Sequence, residues 1–151
     1  MEKVLVVSVT DKKRIIEDVL DINEVVESQG DTLTIYSTGG TATKLREGGL
    51  EVHDLQELTG GEELFGDLVK SLSRQVAAGL LARPEHRNEL EEKGMVWIDY
   101  LIVDFYELEK AIQESGGDRA AVIKATDIGG PTMVREAAKG RRVVICRPED
   151  R

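Results

Sequence analysis

Ser37, Thr38 and Thr41 surround two consecutive glycines, Gly39 and Gly40, in the stretch Tyr36-Ser37-Thr38-Gly39-Gly40-Thr41-Ala42-Thr43. Thr32 to Tyr36 reads as a short strand before them and Ala42 to Glu47 as the start of a helix after them, so the glycines fall at a strand-to-helix turn. Glycine there lets the backbone take positive φ and come close to a ligand, while three hydroxyls and the free N–H groups of a helix start face outward as donors. That is the chemistry of an anion cradle, with phosphate the first candidate. The same residues also fit an ordinary turn in which Thr41 caps the helix.

The elements that must position this stretch alternate along the chain. Val4 to Val9 is a continuous apolar run of the kind found in buried parallel strands, and Thr10-Asp11 follows as a turn and helix cap. Ile15, Ile16, Val19, Leu20, Ile22, Val25 and Val26 then keep helical spacing up to a stop at Gly30. A short helix ends at Gly48-Gly49, and Leu50 to Leu55 reads as a weak third strand. Between Glu57 and Gly66 the glycines suggest a loop able to fold over a site. Val76 to Leu81 is a small-residue helix ended by Pro84, and Glu85 to Lys93 is a charged helix. Tyr100 to Tyr106 is the second clear buried strand. Leu108 to Ser115 and Arg119 to Ala125 read as helical, Thr126 to Pro131 as a second Gly-rich loop, Thr132 to Lys139 as a helix, and Arg142 to Cys146 as the closing strand. Strands alternating with helices specify a three-layer α/β domain over 1–151, with a mainly parallel sheet between two helical layers. Ligands of such sheets bind beyond the carboxyl ends of the strands, where both Gly-rich loops and the residues after Val9 and Phe105 belong.

Composition narrows the function. With 40% hydrophobic and 32% charged residues, no run of membrane-span length and no signal sequence after Met1, the chain reads as a cytoplasmic protein with no membrane partner. A net charge of −9 argues against nucleic acid, which is held by clustered Lys and Arg, but leaves room for a small anion in a locally positive pocket. Cys146 is the one cysteine, and its apolar setting favours a buried, inert thiol. His53 has no ligating neighbours at metal spacing and reads as a strand-end histidine.

Five stretches together resemble, in order and spacing, the inosine monophosphate cyclohydrolase domain of the bifunctional purine-biosynthesis enzyme. They are Ser8-Val9-Thr10-Asp11-Lys12, Ser37 to Ala42, Leu68-Val69-Lys70-Ser71-Leu72, Tyr106, and Asp127 to Lys139. The Ser-Thr-Gly-Gly-Thr loop alone belongs to the wider methylglyoxal-synthase-like fold. In that family the transformylase domain follows; here the sequence ends at Arg151, so the expectation is a stand-alone domain. The resemblance implies closure of the purine ring of formamidoimidazole carboxamide ribotide, with loss of water and without cofactor or metal. It implies catalytic roles for Lys70, Tyr106, Asp127 and Lys139. Ser8, Thr10, Lys12, Ser37, Thr38, Gly39, Gly40, Thr41, Ser71, Gly129 and Gly130 would bind the nucleotide and its phosphate. A homodimer is compatible with this reading.

Two departures stand out. Where the family reads Arg-Val-Lys-Thr-Leu-His-Pro, this chain has Leu68 in place of the arginine and Ser73 in place of the histidine; where it reads Asn-Leu-Tyr-Pro-Phe, this chain has Asp104-Phe105-Tyr106-Glu107-Leu108. Losing a bidentate anion contact and a titratable group points toward weaker or altered binding, with Arg74 as a compensating candidate. They leave two alternatives open, a regulatory nucleotide-binding module like the allosteric domain of carbamoyl phosphate synthetase and a methylglyoxal synthase. The latter leans on a histidine near the catalytic aspartate, and neither His53 nor His86 stands where such a loop is expected.

Overall fold

A computed structural model describes residues 1–61, 64–65 and 68–150. The sheet has five strands, all parallel: β1 (Glu2–Ser8), β2 (Thr32–Ser37), β3 (His53–Asp54), β4 (Tyr100–Val103) and β5 (Val143–Ile145), in the order β3-β2-β1-β4-β5. β1 is central because it can be. Val4, Leu5, Val6 and Val7 are all buried, and alternate residues enter opposite cores: Val4 and Val6 one, Leu5 and Val7 the other.

The helices divide between those two faces. α1 (Ile15–Ser28) and α2 (Gly39–Glu47) bring Ile15, Val19, Ala42 and Leu45 to the core of Leu5 and Val7. α3 (Leu55–Thr59), α4 (Arg74–Leu81) and α8 (Gly129–Lys139) bring Leu55, Leu58, Val76, Leu80, Met133 and Ala137 to the core of Val4 and Val6. The remaining helices, α5 (Arg87–Glu92), α6 (Leu108–Glu114) and α7 (Arg119–Ala125), link strands. This is the three-layer α/β architecture that the alternation of elements specifies.

Several boundaries differ from the sequence reading, each for a local reason. The third strand shrinks to His53-Asp54, because Asp54 leaves the sheet to cap α3 in a capping box with Glu57. The strand expected to reach Tyr106 stops at Val103, its last pairing position against Ser8. Thr10-Asp11 does not cap α1, which starts at Ile15 after Arg14 takes a left-handed conformation, φ 57°. Gly129-Gly130-Pro131 is the first turn of α8 rather than a loop; proline is tolerated there because first-turn N–H groups have no intrahelical acceptor. The stretch Glu85 to Lys93 splits into a 3₁₀ turn, Pro84–His86, and α5. The expected Glu57–Gly66 loop begins inside α3, and Gly66 lies outside the described residues. Cys146 is a free thiol just past β5, half-buried rather than buried.

α4 and α8 lie side by side, with Gly140 setting α8 against α4 and Gly79 setting α4 against the segment before β4. A Cβ on Gly140 would collide with the Leu80 carbonyl, and one on Gly79 would meet the Val96 carbonyl at 2.5 Å. Arg142 closes this end of the helix pair by donating to the carbonyls of Gly140 (2.8 Å), Gly79 (3.1 Å) and Ala82 (2.5 Å), with its guanidinium stacked 3.7 Å from the Trp97 ring centre. Because the colliding atoms at Gly140 are backbone, Gly140→Ala is expected to cost about 2 kcal/mol or more in urea unfolding. Gly61→Ala, where nothing lies within 4 Å of the added carbon, is expected to change stability by less than about 0.5 kcal/mol.

Candidate functional site

The strand order reverses beside β1: the chain moves from β1 out to β2 and β3, then returns to place β4 and β5 on the other side. A crevice therefore opens at the carboxyl ends of β1 and β4, the place where such sheets take ligands. After Ser8 the backbone of β1 has left the ladder, and Val9, buried at this exit, must find partners elsewhere. Thr41 supplies both. Its Oγ1 donates to the Val9 carbonyl (3.0 Å) and accepts from the Val9 N–H (3.3 Å), while Ser37 Oγ donates to the Val7 carbonyl (2.7 Å).

This corrects the reading of the Gly-rich turn. Ser37 and Thr41 are buried and their hydroxyls face inward, stitching β2 and α2 to β1, so they do not present donors to a ligand. Thr38 is the helix N-cap residue, and its half-buried Oγ1 lies 3.2 Å from Ser8 Oγ. Its carbonyl takes the N–H groups of Thr41 and Ala42. The exposed N–H groups of Gly39 and Gly40, at the tip of α2, are the donors that remain for an anion. Gly39 has φ 40°, a conformation that favours glycine.

Across the crevice, the loop after β1 brings a cation to the same point. A Cβ built on Gly40 would lie 3.5 Å from Lys12 Cε and 3.9 Å from its Nζ, so the ammonium stands over the start of α2. The loop is held by backbone bonds: Thr10 N–H and Asp11 N–H (3.1 Å) both donate to the buried carboxylate of Asp104, and Lys13 N–H donates to Asp11 Oδ1 (2.9 Å). Thr10 itself is exposed and enters the site through its backbone. Lys12, Gly39, Gly40, Ser8 and Thr38 thus line one notch that carries an ammonium and the first amides of α2.

The second group of expected residues gathers at the starts of α4 and α8. A Cβ on Gly129 would meet Ser71 Oγ at 2.5 Å, so Ser71, buried, rests directly on the first turn of α8. Gly130 is as tightly enclosed, its added carbon 3.0 Å from both Asp127 Oδ2 and Phe105 Cδ1. Asp127 Oδ1 accepts the Gly130 N–H (3.0 Å), a cap on α8. Ser71, Asp127 and Phe105 are therefore in mutual reach through two glycines, and Lys70 and Tyr106 are their chain neighbours. Tyr106 is exposed and lines an open cleft of ≈ 1020 Å³ with Thr10, Asp11, Asp104 and Phe105.

Lys139 is not part of this gathering. It ends α8, about 15 Å along the axis from Gly129 at 1.5 Å per residue, beside the Gly140–Leu80 contact at the opposite edge of the sheet. Ser73, which replaces the resembling family's histidine, is the N-cap of α4, its Oγ accepting the Val76 N–H (3.1 Å). Leu68 projects into solvent, 76% exposed. His53 stands on the edge strand opposite Tyr36, with ring centres 5.4 Å apart. Its Nδ1 pairs with Glu57 Oε2 at 3.1 Å. The Asp54 N–H and then His53 hold the Glu57 carboxyl below its ordinary range. The residue that sequence reasoning missed is Asp104, whose signal was a carboxylate at the end of a buried strand.

Residues 18–132 match the family model for the MGS-like domain. The chain belongs to the MGS-like domain family. This MGS-like domain is 35% identical over 155 aligned residues to the bifunctional purine biosynthesis protein PurH of Persephonella marina, and 37% identical over 155 to that of Acetivibrio thermocellus. In both cases 99% of this chain is matched, and it spans 29% of the length of the relative. Its fold superposes on the crystal structure of ForH with a TM-score of 0.74 at 30% identity, covering 98% of this chain and 74% of that one. Among the described residues no helix of this MGS-like domain is long and apolar enough to cross a membrane.

The inward hydroxyl of Thr41 separates two variants. Thr41→Val strands the buried Val9 N–H and carbonyl and is expected to lower unfolding free energy by about 1–3 kcal/mol. Lys12→Ala, at an exposed side chain, is expected to stay within about 0.5 kcal/mol of the parent in the same urea titration.

Proposed function

We propose that this MGS-like domain binds a nucleotide by its phosphate in the Lys12–Gly40 notch and acts as an inosine monophosphate cyclohydrolase on formamidoimidazole carboxamide ribotide. The observation that carries the reading is that two chemically distinct groups share one edge of the sheet. One is a cation-and-amide notch that fits a phosphate monoester; the other is the cluster of Ser71, Phe105 and Asp127 around Gly129 and Gly130. The similarity to PurH over 99% of the chain supports the same reading.

Ring closure joins the carboxamide nitrogen of the ribotide to its own formyl carbon; the carboxamide nitrogen and the formamido nitrogen each give up one proton, the formyl oxygen leaves with both as water, and the formyl carbon becomes doubly bonded to the formamido nitrogen. Amide nitrogen is a poor nucleophile, so holding the two groups face to face removes part of the barrier, and proton transfer and oxyanion stabilisation remove more. Asp127, with Oδ1 committed to the Gly130 N–H, keeps Oδ2 for a proton. Lys70 supplies positive charge for the developing oxyanion, and Tyr106, exposed beside the cleft, hydrogen-bonds a polar edge of the substrate. Lys139, at the other end of α8, is outside this division of labour.

The test is an absorbance assay of ring closure with purified protein and the formylated ribotide. Lys70→Ala and Asp127→Asn are expected to lower turnover on the order of a hundredfold each while inosine monophosphate still raises the Tm. Lys139→Ala is expected to stay within about threefold of the parent, as for a residue remote from the chemistry. Parent protein that binds inosine monophosphate but shows no ring closure above the uncatalysed rate would exclude the enzyme and leave a nucleotide-binding module.

A further inference from the structure

Asp104 sits at the carboxyl end of β4, directly across the reversal of strand order from the exit of β1, and is 8% exposed. Its two oxygens are divided: Oδ1 takes the Thr10 N–H and Oδ2 the Asp11 N–H. The next residue is Lys12, whose side chain lies along Gly40 at the start of α2. Further along, Asp11 Oδ1 takes the Lys13 N–H, and Arg14 turns the chain into α1 through a left-handed conformation. The Lys12 ammonium donates to the Thr10 carbonyl at 3.5 Å, so the same anchored stretch that Asp104 grips also holds the end of the side chain beside Gly40.

We propose that Asp104 is a positioning residue for phosphate binding: its carboxylate grips the backbone on the N-terminal side of Lys12 and so aims the ammonium at the anion seated on Gly39 and Gly40. The proposal deepens the nucleotide reading above and rests on it. It carries a sign that simple electrostatics opposes. A buried negative charge close to an anion site repels the anion, so removing it should tighten phosphate binding if charge alone matters. If aim matters more, removing it should weaken binding, because the ammonium loses its fixed geometry and the ordering of a flexible lysine must then come out of the binding free energy. Two charge-assisted bonds to a stretch of two residues favour aim.

The measurement is a calorimetric titration of inosine monophosphate into the parent, Asp104→Ala, Lys12→Ala and the double variant. Asp104→Ala is expected to raise Kd on the order of tenfold in the parent background and by less than about twofold where Lys12 is already alanine, since an effect exerted through Lys12 disappears with it. Asp104→Asn keeps one acceptor oxygen and should fall between; it also serves in the same cycle if Asp104→Ala does not fold. Tighter binding in either variant, or an equal loss with and without Lys12, overturns the proposal and leaves Asp104 as a structural cap. A parent protein that does not bind inosine monophosphate overturns the nucleotide reading itself, a result distinct from failure of the cycle.

Discussion

The exit of β1 is the constraint on which the site depends. A central parallel strand is bonded on both sides along its length, but where it leaves the sheet Val9 is still buried, so its amide and carbonyl cannot turn to water, and the amides of Thr10 and Asp11 that follow also lack ladder partners. Side chains from the two flanking sides supply the missing partners: Thr41 from the first turn of α2 on the β2 side, Asp104 from the end of β4 on the other. Both sets of bonds satisfy the backbone that follows β1. In doing so they fix the start of α2 and the loop bearing Lys12 relative to each other, which is what makes a notch rather than two unrelated turns.

The other half of the edge is built by close approach instead of by polar stitching. α8 begins with two glycines because Ser71 and the Phe105–Asp127 pair occupy the space their side chains would need. At its far end Gly140 lets α8 touch the backbone of α4, so the helix is located at both termini. The result is that Asp127 and Ser71, each in the segment before a helix, pack against the fixed first turn of α8. Lys139 stands at the opposite end of that helix, eleven residues from Gly129 to Lys139 at about 1.5 Å per residue.

Local pattern is what the sequence makes legible. The run Val4 to Val7 fits only a strand covered on both faces, and the spacing from Ile15 to Val26 fits only a helix with one buried side. The Gly39-Gly40 turn is legible in position but not in orientation: whether Ser37 and Thr41 face a ligand or the core depends on carbonyls about thirty residues earlier in the chain. Gly129-Gly130-Pro131 looks like a breaker and is a helix start, because the objection to glycine and proline applies to helix interiors and not to the first turn. Ser73 stands out in the sequence as a histidine lost, yet a serine three residues before Val76 is itself a capping signal. A family motif draws the eye to the residue that is missing and away from the work of the one present.

If a phosphate monoester seats on the exposed amides of Gly39 and Gly40 beneath Lys12, those two N–H groups change hydrogen-bond partner on binding. Amide NMR of the protein titrated with inosine monophosphate reads that change at the atoms concerned, through their own chemical shifts. The largest changes are expected at Gly39, Gly40 and Lys12, saturating together, with Gly116 and Gly117 between α6 and α7 unmoved. Saturable changes confined to other residues, with Gly39 and Gly40 unmoved, would contradict a phosphate seat at the start of α2.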